Sequence, residues 1–256
     1  MRGRDDKITK VAELVSQAES IVFFTGAGTS VHSGIPDFRS PGGIWEKYNP
    51  AEYATLAAFH KNPEKIWNFF RDMYAKFSEP EPNPIHHAIT DIQQLKGKNK
   101  VHIATQNIDG LHQKSGTTNV FELHGTTDKL HCLRCLYEEE VEPEKHLEYL
   151  PYPTCPKCKK PLKPSVVLFG ESLDMNIFRP AMKIAKRSEI AIGVATSLEV
   201  FPAADILLAP PPNKTKKALF NLTKTYYDKL IHYVIKGDAI ETLPKLVEEV
   251  KKLEKR

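Results

Sequence analysis

The sequence predicts an α/β protein, a doubly wound parallel sheet interrupted by a small inserted lobe. Three observations predict it. Short β-branched and aromatic runs, most ending in Gly, Ser, Asn or Asp, alternate with amphipathic helical segments. The first of these runs leads straight into a Gly-x-Gly turn. All four cysteines fall in one stretch as two C-x₂-C pairs.

Taken in order, residues 5–19 place Ile8, Val11, Leu14 and Val15 at helical spacing. "SIVFFTGAGTS" then changes character at once, from an apolar strand to a glycine turn. Further strands are expected in "KVHIATQNID" (100–109), "SEIAIGVATS" (188–197), "KALFNLT" (217–223) and "IHYVIKGDA" (231–239). Helical patterns separate several of them, at 63–77, 82–95, 178–188 and 239–256. "VVLFGE" (166–171) reads as one more apolar strand, ending in Gly-Glu, with an edge that an extended peptide could pair with. Any helix after Pro202 must end before the proline run at 210–212. The larger, Rossmann-like domain is expected over 1–125 and 165–256, with a helical insertion around 40–95. Ligand should bind along the carboxyl edge of its sheet.

The inserted module covers 126–164. Cys132, Cys135, Cys155 and Cys158 have the spacing of a four-thiolate zinc ribbon, each C-x₂-C turn giving two sulfurs to one tetrahedron. No ligand position stays open, so one such zinc ion is structural. A redox role would need only one pair. The acidic, proline-punctuated stretch between the pairs is too polar to form its own core and relies on the metal.

Composition narrows the class. A net charge of +4 falls short of a dedicated nucleic-acid binder, and "EEEVEPE" inside the ribbon would repel phosphate. No apolar run approaches the roughly 20 residues that span a bilayer, and the start shows no secretory pattern. A cytoplasmic protein is expected, or a nuclear one in a eukaryote. "TGAG" (25–28), "SGIPDFRS" (33–40), "TQNIDGLH" (105–112) and "ELHG" (122–125) supply glycines, an aromatic wall, a guanidinium, amides, carboxylates and one imidazole. Each has a plain structural explanation when taken singly: a tight turn, a polar loop start, an exposed histidine.

Together, in this order over roughly residues 8–250, GAGTS, SGIPDFR, TQNIDGLH, ELHG, the two cysteine pairs, VLFGE, TSLEVFPAA and a later Asn resemble the sirtuins, NAD-dependent protein-lysine deacylases. The resemblance implies that NAD and an acyl-lysine peptide or protein meet in a cleft between the large domain and the zinc lobe. It places Gly26, Ala27 and Gly28 at the pyrophosphate, and Asp37, Phe38 and Arg39 on a cofactor loop, with Phe38 shielding the reactive ribose carbon. Gln106, Asn107, Ile108 and Asp109 would line the nicotinamide-ribose pocket, with Ile35 and Asp109 near the carboxamide. Thr196 and Ser197 would meet the phosphates, Asn221 the adenosine ribose, and Asp238 and Ala239 the adenine. His124 would be the general base, with Asn107 beside it in the catalytic set. Val167, Phe169, Gly170 and Glu171 would pair with substrate backbone from one side, and Glu199 and Val200 from the other. In the implied reaction the acyl oxygen displaces nicotinamide from the ribose. His124 then takes a proton so that a ribose hydroxyl attacks the acyl carbon, giving free lysine and an O-acyl-ADP-ribose.

Departures from the family pattern carry expectations of their own. Ala195 stands where the family has glycine, which would cost NAD affinity if the position needs positive φ or very close backbone approach. Pro210–Pro212 reads as a remodelled surface turn, and His32 as exposed and without function. Sirtuins that prefer acidic acyl groups carry a Tyr-x-x-Arg pair where this sequence has Phe70 and Met73, so neutral acyl groups are expected. A mono-ADP-ribosyltransferase sharing the NAD pocket is the nearer alternative, and a zinc-ribbon nucleic-acid binder with a degenerate NAD fold the more distant one.

Overall fold

The computed structural model describes residues 2–76, 79–142, 145 and 147–255, so Phe77 of the expected 63–77 helix and Pro143, Glu144 and His146 of the ribbon lie outside the described residues. Its helices are α1 (Arg2–Gln17), α2 (Ile44–Lys47), α3 (Pro50–Tyr53), α4 (Leu56–Lys61), α5 (Pro63–Lys76), α6 (Pro84–Lys96), α7 (Leu111–Lys114), α8 (Met175–Ala185), α9 (Asp205–Leu208) and α10 (Ala239–Glu254). Its strands are β1 (Ile21–Thr25), β2 (Val101–Thr105), β3 (Val120–Glu122), β4 (Gly125–His131), β5 (Glu138–Glu140), β6 (Lys163–Val166), β7 (Ile190–Val194), β8 (Lys216–Asn221) and β9 (Tyr233–Lys236). The chain forms two compact units, one of Met1–Ser33, Glu81–Leu123 and Asp174–Arg256, the other of Gly34–Pro80 and His124–Leu173.

The first unit is built on a six-stranded parallel sheet in the order β3-β2-β1-β7-β8-β9. The central strands read as continuous apolar runs because both faces are covered. Ile8, Val11 and Val15 of α1, Ile85, Ile89 and Ile92 of α6, and Leu243, Leu246 and Val250 of α10 bury one face together with Phe23, Ile103, Ile192 and Phe220. Each fully buried side chain of this kind contributes roughly 1.5–3 kcal/mol. Strand order reverses between β1 and β7, so the loops leaving those two strands part there, and open sheets bind ligand at this switch point. Strand β3, absent from the sequence reading, has only three residues, too few to show a period.

The second unit joins α2–α5 to an antiparallel sheet in the order β5-β4-β6. Trp67 of α5 is fully buried and donates its indole N–H to the Leu162 carbonyl at 2.9 Å. Arg71, one turn on, donates to the Tyr149 and Pro151 carbonyls. One expectation is corrected here. Residues 166–171 do not form a strand: β6 ends at Val166 and the chain turns, with Gly170 at φ 90 and Phe169 making a single isolated bridge to Thr55.

Candidate functional site

In the first unit the glycine turn packs against the exit of β7. The amides of Gly26 and Gly28 donate to Val194 and Ala195 carbonyls at 3.1 and 3.2 Å. A side chain on Gly26 would lie 2.8 Å from the Ala195 oxygen, so close approach of two backbones explains this glycine. Ala27 therefore carries the one amide of the three with no intramolecular partner among the described residues.

A polar cluster lies on these loops. Asn107 donates its side-chain amide to Thr29 Oγ1 at 2.8 Å and Ser30 Oγ at 3.0 Å, and Ser30 Oγ donates to Asp109 at 2.6 Å. Asp109 also accepts from the Leu111 amide, which fixes the turn into α7. Gln106 donates to Thr196 Oγ1 at 3.0 Å. Asn83, the cap of α6, donates to the Thr29 carbonyl at 2.7 Å and to Ser33. Sequence reading missed Thr29, Ser30 and Asn83 as members of this cluster. Asn83 falls inside the helical segment expected over 82–95, and nothing local in the sequence shows where its side chain reaches.

Beneath the cluster, Thr25 donates to Thr105 at 2.8 Å and meets His112 Nε2 at 3.0 Å. The buried rings of His112 and His86 lie 5.0 Å apart. Burial, and then the neighbouring His86, pushes the His112 imidazole down to about 3; burial, and then His87, pushes His86 to about 4. Both are depressed from about 6.5, so they stabilise the fold fully above that pH and lose the contribution as pH falls towards 4 and 3. At about 1.4 kcal/mol per pH unit and group, a loss on the order of 5 kcal/mol is expected between pH 7 and pH 4. Urea unfolding at stepped pH should show this loss, and a His112→Gln variant should flatten it.

Ala195 sits at φ 47, in the left-handed region, so the condition attached to this substitution is met. A Cβ costs roughly 1–2 kcal/mol there. Ala195→Gly should therefore raise stability by about 1 kcal/mol, seen as a melting temperature about 2–4 °C higher. An unchanged or lower melting temperature would show that the surrounding contacts absorb the strain.

The adenosine-end residues are also placed in the first unit. Asn221 is buried and donates to the Thr223 carbonyl. Asp238 caps α10 through the Ile240 amide, next to Ala239, and its second oxygen lies 2.9 Å from His32 Nε2. His32 is exposed, as expected, yet it has a partner. Thr196 is buried, while Ser197 and Glu199 are exposed and Val200 half-buried. Ile108 directly follows the Gln106–Asn107 pair.

In the second unit, Asp37 organises the loop that follows Ile35. Its carboxylate accepts from the Arg39 and Ser40 amides and from the Ser40 hydroxyl, and Phe38 stacks on Trp45 at 5.0 Å. His124 occupies the turn before β4, where its carbonyl accepts the Val167 amide at 2.8 Å. Gly125 follows at φ 80, where an added Cβ would fall 1.8 Å from the Ser165 oxygen.

Cys132, Cys135, Cys155 and Cys158 bring four sulfurs within 4.8 Å of one another, two pairs at 3.4 Å. Bonds of about 2.3 Å to one zinc require sulfurs roughly 3.8 Å apart in a tetrahedron, which the cluster brackets. The two turns match in detail. The amides of Leu136 and Lys159 donate to the Cys132 and Cys155 carbonyls, and both residues are left-handed, at φ 56 and 60. Two equivalent knuckles facing one point fit a closed structural zinc.

Comparison with known proteins agrees with this geometry. The Sir2 family pattern matches residues 26–202. NAD-dependent protein deacylase 2 of Archaeoglobus fulgidus is 40% identical over 253 residues, covering 97% of this chain and 98% of its own. A solved Sir2 homologue in complex with NAD superposes with a TM-score of 0.87 at 34% identity, over 96% of this chain and 94% of its own. A Sir2 structure bound to a myristoylated histone peptide gives 0.80 at 36% identity, over 98% of both chains. Among the described residues no helix is long and apolar enough to cross a membrane.

Proposed function

The chain belongs to the Sir2 family, and from that membership we propose that it removes acetyl and other neutral acyl groups from protein lysines, consuming NAD and releasing nicotinamide and an O-acyl-ADP-ribose. The observation that carries the reading is the Ser30–Asn107–Asp109 hydrogen-bonded cluster at the point where strand order reverses. NAD supplies a ribose carbon made electrophilic by its nicotinamide leaving group. The chain's own residues do the rest. Ala27 offers its amide to the pyrophosphate, while Gly26 and Gly28 keep the loop narrow. Asn107, Ser30 and Asp109 hold ribose and carboxamide in one orientation, so that attack at the ribose carbon is intramolecular in effect. Gln106, Ile108, Thr196 and Ser197 line the remaining cofactor path, with Asn221, Asp238 and Ala239 at its adenosine end. Ile35, Asp37, Phe38 and Arg39 form a loop that shields the reaction from water. His124 takes a proton at its imidazole from a ribose hydroxyl, a task suited to a base working near neutrality. The zinc takes no part in the chemistry. Val167, Phe169, Gly170 and Glu171, with Val200, hold the peptide.

The neutral-acyl preference rests on α5. Phe70 is buried against Trp67 and Phe69, and Met73 is half-buried, so neither offers a cation to an acyl carboxylate. On matched peptides, acetyl or myristoyl removal should exceed succinyl removal at least tenfold in kcat/KM, an order-of-magnitude expectation for losing one charge-assisted hydrogen bond. Faster desuccinylation would contradict the assignment.

A further inference from the structure

The second unit contains a buried ion pair that the reaction does not use. Lys163, at the start of β6, is 1% exposed, yet its ammonium meets three acceptors. It donates to the Pro164 carbonyl at 3.2 Å and the Val166 carbonyl at 2.5 Å, and lies 3.1 Å from Glu171 Oε2. Three N–H groups and three acceptors leave the charge satisfied. The same Glu171 oxygen accepts the Leu168 amide at 2.7 Å. The pair therefore joins the last residue of β6 to the far end of the 167–171 turn.

The turn is tied down elsewhere as well. The Val167 amide goes to the His124 carbonyl, the Phe169 amide to Ala54, and the Glu171 amide to Leu168, while the Phe169 carbonyl accepts from Leu56. Gly170 alone in this stretch has an amide without a partner among the described residues. Placing a charged pair here costs desolvation, and burial does pull the Lys163 ammonium below its ordinary range against the opposing pull of Glu171. An apolar pair of similar volume would avoid that cost. What the ions add is direction, because a carboxylate pinned by both an ammonium and an amide permits one turn conformation.

We infer that Lys163 and Glu171 are positioning residues for the acyl-lysine peptide, bracing the 167–171 turn so that its remaining backbone groups meet the substrate. This rests on the reading of 167–171 as peptide-binding. Glu171 keeps its backbone in that turn, while its carboxylate serves as internal support.

The test uses the whole zinc-loaded chain in four forms: wild type, Lys163→Met, Lys163→Arg and Glu171→Gln. Steady-state kinetics are measured against an acetyl-lysine peptide, together with the Kd for NAD. Lys163→Met should raise the peptide KM about tenfold and Glu171→Gln several-fold, roughly the effect of one lost charge-assisted hydrogen bond. The kcat should stay within twofold, the NAD Kd should not change, and Lys163→Arg should restore most of the affinity. Should Lys163→Met fail to fold, Glu171→Gln decides alone. A peptide KM within twofold of wild type in every folded variant would overturn the inference. So would a fall in kcat at constant KM. An acetyl-lysine peptide carrying a diazirine separates this failure from failure of the underlying reading. Crosslinks on 167–171 of the wild type support peptide binding there, and crosslinks only elsewhere sink that reading and the brace with it.

Discussion

Replacing His124 with alanine should lower deacylation about 10²–10⁴-fold, the usual worth of a positioned general base, and leave NAD affinity within twofold. The local structure makes this a clean experiment. The turn is held by main-chain groups, through the His124 carbonyl to the Val167 amide at 2.8 Å. Gly125 is wedged against the Ser165 oxygen, so no larger residue fits beside the histidine. Alanine therefore removes the imidazole without releasing the backbone. Activity should be lost at every pH, because the proton acceptor itself is gone. Retention of more than a fifth of wild-type turnover would assign the proton transfer to another group.

Removing zinc should have the largest structural effect. Small zinc modules gain about 10–16 kcal/mol of apparent free energy from the metal at neutral pH, more than most whole domains have to spare. The ribbon has little to put in its place. Its strand β5 is a run of three glutamates, two of them exposed, and besides Cys132 and Cys155 its buried apolar side chains are few, Leu130, Val141 and Leu162 among them. A strong chelator, or Cys132→Ser with Cys155→Ser, should open residues 132–158 to protease and abolish deacylation. The first unit should keep its far-ultraviolet signature and its affinity for NAD, because its sheet and core contain no cysteine. Metal analysis should return one zinc per chain before treatment. A chain that stays protease-resistant and active without metal would show the four thiols to be dispensable.

The strands of the parallel sheet were legible wherever five or so apolar residues ran together, because burial on both faces leaves an uninterrupted signal. Helices α1, α5, α6 and α10 were legible for the complementary reason, one apolar face at a period of 3.6. Strand β3 and the turn at 167–171 were not. The first is too short to show a period, and the second has a strand-like composition but a left-handed Gly170 and a Glu171 carboxylate that folds back onto the Leu168 amide. At the site, residue types were readable from motifs, whereas partnerships were not. Nothing local announced that Asn83 would reach Thr29, that His32 would meet Asp238, or that Lys163 would be buried beside Glu171. The positive φ of Ala195 was posed by the sequence as a condition and answered only by the fold.

In the proposed reaction NAD is split in order to carry an acyl group away from lysine. This is tested most directly by incubating the wild-type protein with NAD and an acetyl-lysine peptide and identifying all products by mass spectrometry. Free-lysine peptide, nicotinamide and O-acetyl-ADP-ribose are expected in equal amounts. Peptide that keeps its acetyl group while ADP-ribose accumulates on protein would contradict the proposed reaction and make the chain an ADP-ribosyltransferase.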